Sequence, residues 1–325
     1  MRKPWMVGVL AGLLLLGACG DPSSGPESAP PPVPSAPKAS STTHQRPAAT
    51  PEAGTDTEAE PNTGAGTGAG TGTKAPAQHA RPTVLYLGDS LAMENQKVLG
   101  GLMRDELKAR YTSAPYSGTT LCDYLEGTGK DSLVPPKDKA AALVRTLRPD
   151  FVVLQFWGNA WGYTPCMDGI THGKARDKYF ARYTADARRL TDQIAGAAGG
   201  DRPKVVWVLQ GPDAFTPDRV QRVNAIYERQ ATVSGDLLAD AGKAVSPASA
   251  RYTWTQYLPC TAYEREHTAY CTQPSSGRTA LHIDDDYLHF CLVPTTSTPK
   301  PCPVRSPGIL RITRAITRAV AAQLD

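Results

Sequence analysis

The chain has 325 residues, and its formal net charge of +4 arises from 35 basic and 31 acidic side chains. This charge is mild and scattered, without the dense basic stripe and interleaved aromatic residues that nucleic acid binding requires. We therefore predict no nucleic acid partner, and the function must be sought in local motifs.

The amino terminus has the pattern of a signal peptide over residues 1–18. A basic start, Arg2 and Lys3, precedes an apolar run at residues 7–16 that is too short for the roughly 20 residues of a spanning helix. The next four residues, Leu16-Gly17-Ala18-Cys19, resemble the lipobox of bacterial lipoproteins. That resemblance implies lipidation of Cys19 and an extracytoplasmic protein anchored to the membrane through lipid. An ordinary secretory signal followed by a chance cysteine is the alternative, and it would make the protein secreted.

Residues 19–80 consist largely of Pro, Ser, Thr, Ala and Gly. Such a segment has too little apolar surface to offset its ordering entropy, so we predict a disordered linker behind the anchor. Residues 81–325 are long enough for one domain with a substantial core.

Strand and helix patterns alternate along this domain. Apolar runs predict strands at residues 83–87, 111–116, 151–156 and 204–209, with a short last strand at 251–254. Helical patterns cover residues 92–110, 138–147, 174–198 and 217–241, and a closing helix begins at Ser306-Pro307. This alternation is typical of a parallel sheet covered by helices on both faces. The predicted fold is a three-layer α/β/α sandwich with a central parallel sheet of about five strands.

The most informative motif is Gly88-Asp89-Ser90-Leu91, which directly follows the first predicted strand. Near the other end, Asp286-Tyr287-Leu288-His289 offers an acid and an imidazole. A serine at a strand-to-helix turn, with an Asp and a His from a distant segment, is what a serine hydrolase needs.

These motifs resemble the sequence blocks of the SGNH hydrolases, also called GDSL esterases and lipases, which have a flavodoxin-like fold. The resemblance implies that Ser90 is the nucleophile, His289 the general base and Asp286 its orienting partner. It places the oxyanion hole at the Ser90 amide, at Gly118 in Tyr116-Ser117-Gly118, and at Asn159 after the third predicted strand. No metal or organic cofactor is expected.

One block departs from the family pattern. The third block usually reads Gly-x-Asn-Asp, whereas this chain has Trp157-Gly158-Asn159-Ala160-Trp161, without the spacer and the Asp. Asn159 is still the only asparagine just beyond that strand, so it keeps the oxyanion assignment. The two tryptophans are expected either to line an acyl or sugar pocket or to pack in the core.

The resemblance implies a serine esterase acting on acyl esters, a hydrolase whose favoured substrates are acetyl or short acyl groups on cell-envelope glycans. An acyltransferase that moves the acyl group to a sugar hydroxyl through the same site is the first alternative. A non-catalytic binding module on the same scaffold is the second.

Each site residue also has a purely structural explanation. Ser90 could serve only as a helix N-cap, and His289 could simply pack against its apolar neighbours. The run Asp284-Asp285-Asp286 could bind a cation together with His282, or form a solvated acidic loop.

Six cysteines remain once Cys19 is assigned to lipid, and an even number in an exported domain indicates disulfides. Sequence alone permits fifteen pairings. We predict Cys122 with Cys166, Cys260 with Cys271, and Cys291 with Cys302, which would brace loops at the carboxyl edge of the sheet. A zinc site is a weaker alternative, because no Cys-x-x-Cys occurs.

Overall fold

The computed structural model describes residues 81–129, 132–294 and 301–324. The predicted signal peptide, Cys19 and the predicted linker lie outside these ranges. Within them, no helix has the length and apolar character that crossing a membrane would take.

A five-stranded parallel sheet forms the centre of the domain, in the order β2-β1-β3-β4-β5. Its strands are β1 Thr83–Gly88, β2 Arg110–Ser113, β3 Phe151–Gln155, β4 Lys204–Val208 and β5 Leu237–Ala239. The inner strands β1 and β3 are buried along their whole length, which explains why they read as continuous apolar runs. The first four strands overlap the predicted positions, although β2 ends at Ser113 and the prediction extended it to residue 116.

Helices cover both faces of the sheet. The α-helices of the described residues are α1 Ser90–Leu107, α2 Ala140–Leu147, α3 Arg176–Ala197, α4 Pro217–Ser234, α5 Ala241–Ala244, α6 Ala262–Glu266 and α7 Pro307–Ala321. Alternate residues of β1 point to opposite sides: Leu85 packs in a core with α2, α3 and α4, while Tyr86 packs in a second core with α1 and α7. This arrangement confirms the predicted three-layer α/β/α sandwich.

The last strand of the sheet was predicted in the wrong place. The helix predicted for residues 217–241 ends at Ser234, because Gly235 takes a left-handed conformation with φ of 67° and its amide bonds the carbonyl of Ala231. The fifth strand follows at Leu237–Ala239, inside the predicted helix. Residues 251–254 form turns and irregular chain instead of a strand.

A small antiparallel sheet precedes the segment that contains His289. Its strands are β6 Tyr257–Pro259 and β7 Arg278–Ala280, and the chain leaves β7 directly into residues 281–290. The amide of Leu281 donates to the carbonyl of Gln256, which fixes the start of this segment against β6.

Three disulfides brace the loops, joining Cys122 to Cys166, Cys260 to Cys271 and Cys291 to Cys302. These three pairs are the ones predicted from sequence. The first links the chain after β2 to the chain after β3, and the last closes a loop that begins two residues beyond His289. Bonds that close loops of this size typically stabilise a fold by about 2–4 kcal/mol each.

Candidate active site

Ser90 lies where β1 turns sharply into α1. The turn runs so close to β3 that a Cβ at position 88 would lie 2.0 Å from the carbonyl oxygen of Gln155, which explains the glycine there. Asp89 is the N-cap of α1, and its Oδ1 accepts a hydrogen bond from the amide of Leu91 at 3.0 Å. Because Asp89 fills the capping role, the side chain of Ser90 is free for other contacts.

The structure brings Ser90, His289 and Asp286 together in a hydrogen-bonded chain. The Nε2 atom of His289 lies 3.0 Å from Ser90 Oγ. The other ring nitrogen, Nδ1, lies 3.0 Å from Asp286 Oδ2 and 3.2 Å from Oδ1. Ser90 and His289 lie 199 residues apart along the chain. The three side chains are arranged as a nucleophile, a base and an orienting acid would need to be.

Asp286 also shapes the turn that carries the imidazole. Its Oδ1 accepts from the backbone amides of Leu288, at 3.1 Å, and His289, at 3.0 Å. Burial alone would raise the pKa of Asp286, but these hydrogen bonds and the neighbouring imidazole hold it at about 2. The carboxylate is therefore ionised over the whole physiological range.

Negative charge around His289 strengthens its affinity for a proton. Burial would lower the pKa of the ring, but the hydrogen bond to Asp286 and the charges of Glu94, Asp286 and Asp89 raise it to about 9. The side chain is not merely packed among apolar neighbours, because both of its ring nitrogens have polar partners.

Glu94 is a site residue that sequence reasoning missed. It lies one turn beyond Ser90 in α1 and is 1% exposed. Its Oε1 accepts from the amide of Phe290 at 3.0 Å and its Oε2 from the amide of Cys291 at 3.2 Å. Burial raises the pKa of Glu94 to about 7, while the nearby imidazole and these two amides lower it. One carboxylate thus fixes the chain just after His289 to the helix that begins at Ser90.

The predicted oxyanion donors are the amide of Ser90 itself and groups from the loops after β2 and β3. Gly118 has φ of 75°, and its neighbour Thr119 bonds through Oγ1 to the carbonyl of Tyr116 at 2.6 Å. Within the described residues, the backbone N–H groups of Ser90 and Gly118 have no hydrogen-bond acceptor. These two amides therefore have unused hydrogen-bond donors.

Asn159 is held by contacts inside the protein. Its Nδ2 donates to Asp89 Oδ2 and to the carbonyl of Thr119, each at 3.1 Å. Asp89 Oδ2 also accepts from the amide of Trp157 at 2.7 Å. Asn159 therefore links the chain after β3 to the chain after β2, and an oxyanion would have to take one of its two hydrogens from these acceptors.

The buried carboxylate of Asp89 ties the turn at Ser90 to the third block. It is fully buried, and burial raises its pKa to about 6 while the amides of Trp157 and Leu91 lower it. No sequence block predicted this contact, because the partners lie 68 and 70 residues away along the chain.

The two tryptophans of the third block differ in exposure. Trp157 is 7% exposed and packs in the core, whereas Trp161 is 37% exposed. Their rings stack with centroids 6.3 Å apart. Core packing is therefore the role of the first ring, while the second is partly exposed to solvent.

The acidic side chains before His289 are not arranged as a cation site. Asp284 and Asp285 are exposed, and the Nδ1 atom of His282 bonds to the carbonyl of His289 at 2.8 Å. Across residues 81–129, 132–294 and 301–324, no group of three or more His, Cys, Asp or Glu side chains is placed to hold a metal ion.

The sequence matches no protein-family model and no curated protein. Its structure is similar to that of a putative lipolytic protein of the G-D-S-L family from Desulfitobacterium hafniense, with 9% identity, a TM-score of 0.40, and coverage of 74% of this chain and 99% of the other. It is also similar to a family 3 carbohydrate esterase from Clostridium thermocellum, with 12% identity and a TM-score of 0.42. The match covers 75% of this chain and 98% of the esterase. A third similar structure is the periplasmic domain of a lipopolysaccharide acetyltransferase from Salmonella ser. Paratyphi A, with 8% identity, a TM-score of 0.44, and coverage of 75% and 85%. At these low values, the fold assignment rests on the strand order and helix layers described above.

Proposed function

We propose that this protein is a serine esterase that cleaves acyl esters outside the cytoplasm. The observation that carries the proposal is the hydrogen-bonded chain from Ser90 Oγ through His289 to Asp286, with contacts of 3.0 Å at each link. A binding module has no need of this arrangement, which makes a non-catalytic role the weaker explanation.

The arrangement suits nucleophilic attack on an acyl carbonyl. With Nδ1–H donating to Asp286, Nε2 of His289 is left to accept the hydroxyl proton as Ser90 Oγ forms a bond to the carbonyl carbon. The protonated ring then gives that proton to the leaving alcohol as the ester bond breaks. A water molecule, activated in the same way, cleaves the acyl-serine and regenerates the hydroxyl.

The tetrahedral intermediate needs donors for its oxyanion. We assign this role to the backbone amides of Ser90 and Gly118, with Asn159 as the third donor. A donor of this kind typically lowers the barrier by about 3 kcal/mol.

The proposed substrates are acetyl or short acyl esters on glycans of the cell envelope. Three disulfides and the predicted lipobox favour an oxidising compartment next to that envelope. If Cys19 carries lipid, Cys19→Ser should move an otherwise normal domain from the membrane fraction to the soluble fraction. Fractionation and immunoblotting would check this, and unchanged retention in the membrane would contradict the anchor.

Hydrolysis of a panel of acyl esters, with and without sugar acceptors, tests the proposed activity. The wild-type protein should release free short-chain acid from acetyl esters, and Ser90→Ala should release none above background. Preferential appearance of the acyl group on the added sugar would instead identify an acyltransferase. Equal turnover by both proteins would overturn the proposed active site.

A further inference from the structure

Two clusters of aromatic side chains border the site, and neither takes part in the proposed mechanism. The first, here called the oxyanion-side cluster, consists of Trp157, Trp161 and Tyr163. The second, here called the base-side cluster, consists of Phe215, Trp254 and Tyr287.

The oxyanion-side cluster is a row of nearly parallel rings. The planes of Trp157 and Trp161 lie at 23° and those of Trp161 and Tyr163 at 19°, with centroids 6.3 Å apart in both pairs. Tyr163 is 48% exposed. Its side chain lies beside Gly118, because a Cβ at position 118 would be 3.3 Å from the hydroxyl of Tyr163. Trp161 and Tyr163 are therefore partly exposed rings, and Tyr163 lies beside the predicted oxyanion glycine.

The base-side cluster lies next to His289 along the chain. Tyr287 contacts Phe215 edge-on, with centroids 5.8 Å apart, and Trp254, with centroids 5.1 Å apart. The indole N–H of Trp254 donates to the carbonyl of Tyr287 at 3.0 Å, which fixes their relative position. Phe215 is 67% exposed and Tyr287 is 40% exposed, although large apolar rings are normally buried.

Buried polar contacts hold the exposed Phe215 in place. Asp213 Oδ1 accepts from the Phe215 amide at 2.8 Å, and its Oδ2 accepts from Arg219 at 2.6 Å. The guanidinium of Arg219 lies over the ring of Trp157, with 3.5 Å between its carbon and the ring centroid. The two clusters are thus connected through the buried ion pair of Asp213 and Arg219.

We infer that the two clusters form a saccharide-binding cleft, with the base-side cluster binding the sugar that carries the ester. This inference rests on the proposed function, because the leaving alcohol must lie beside the imidazole that protonates it. The rings nearest that imidazole therefore contact the alcohol part of the substrate. The oxyanion-side cluster binds a second sugar unit of the same glycan.

The chemistry of the surface favours a sugar over a fatty chain. A pyranose ring has a face of C–H groups that packs flat on an aromatic face, while its hydroxyls stay in water, and amphipathic rings at a wet surface suit such a ligand. The exposed carboxylates of Asp284 and Asp285 lie beside the base-side cluster along the chain, where a hydrocarbon chain would gain little.

Binding to an unacylated sugar separates this inference from the proposed catalysis. Ser90→Ala protein titrated with chitotetraose should bind, and the additional change Tyr287→Ala should weaken the affinity by about tenfold or more, equivalent to 1.4 kcal/mol. Tyr287→Phe keeps the ring and should retain the affinity. Tyr270→Ala, which removes a tyrosine outside both clusters, is the matched control. Absence of binding, or equal binding by the Tyr287→Ala protein, would overturn the cleft whatever the enzyme does.

Kinetics on two esters give a second readout. For O-acetylated chitotetraose, Tyr287→Ala and Trp161→Ala should each raise KM about tenfold or more. Turnover of 4-nitrophenyl acetate, which has no sugar, should stay within about twofold. Parallel losses on both esters would indicate damage to the catalytic groups and would contradict the inference. Failure of the wild-type protein on both esters would instead refute the proposed function, while the titration above still decides the cleft.

Discussion

The two sides of Ser90 are held by different kinds of group. On the base side, the carboxylate of Asp286 bonds to the imidazole of His289. The carboxylate of Glu94 accepts from the two backbone amides that follow His289. On the oxyanion side, the predicted donors are neutral amides, and the carboxylate of Asp89 lies behind them.

This difference separates two ways of controlling a reaction. Negative charge beside His289 sets both its position and its affinity for protons, so changes there should alter the pH dependence. Neutral donors stabilise developing charge through geometry, so changes there should alter the rate at every pH. The following substitutions test that separation.

Loss of the base should have the largest effect. We expect His289→Ala to lower kcat by roughly 10⁶-fold, as is typical when a member of a Ser-His pair is removed, while KM changes little. Steady-state kinetics on an acetyl ester would measure this, with circular dichroism to verify folding. A folded variant within tenfold of the wild-type kcat would exclude His289 as the base.

Loss of Asn159 should have an intermediate effect. Asn159→Ala should lower kcat by about 100-fold or more with little change in KM, because an oxyanion donor acts mainly in the transition state. The acidic limb of its pH–rate profile should stay where it is in the wild-type protein. A displaced limb would mean that Asn159 acts through Asp89 on the base, and the separation of the two sides would fail.

Loss of the charge on Glu94 should have the smallest effect on rate and a distinct effect on pH dependence. Activity requires the neutral imidazole, so kcat/KM should rise with pH through the pKa of His289, which lies above its ordinary value. Glu94→Gln removes a negative charge that favours the protonated ring. The pKa of His289 should therefore fall, and the acidic limb should move to lower pH, with kcat at the plateau only a few-fold lower.

Glu106→Gln provides a matched control for this charge. It makes the same change on the exposed part of α1 and should leave the profile unchanged. An acidic limb in Glu94→Gln that is unmoved, or that lies at higher pH, would show that Glu94 does not act on the imidazole.

Sequence predicted the parts of this molecule that local patterns encode. The strands β1 and β3 are long apolar runs because both faces of each are buried, and Gly88-Asp89-Ser90-Leu91 sits at the turn that follows β1. The strand β5 was hidden because its three residues come directly after a helix and only Gly235 marks the boundary.

Long-range polar contacts were beyond the reach of such patterns. Glu94 meets its two partners across 196 and 197 residues of chain, and within α1 it looks like any polar helix residue. The bonds from Asn159 to Asp89 and Thr119 depend likewise on how the loops after β1, β2 and β3 come together. Only the folded chain reveals these contacts.

The most direct test of the account is the site of covalent labelling by a fluorophosphonate. Such a reagent bonds to a serine whose proton is accepted by a neighbouring base, so we predict one adduct, on Ser90, in the wild-type protein. Peptide mass spectrometry would locate it, and His289→Ala should abolish it although Ser90 is intact. An adduct on another residue, or equal labelling of the His289→Ala protein, would contradict the assignment of Ser90 and His289 as nucleophile and base.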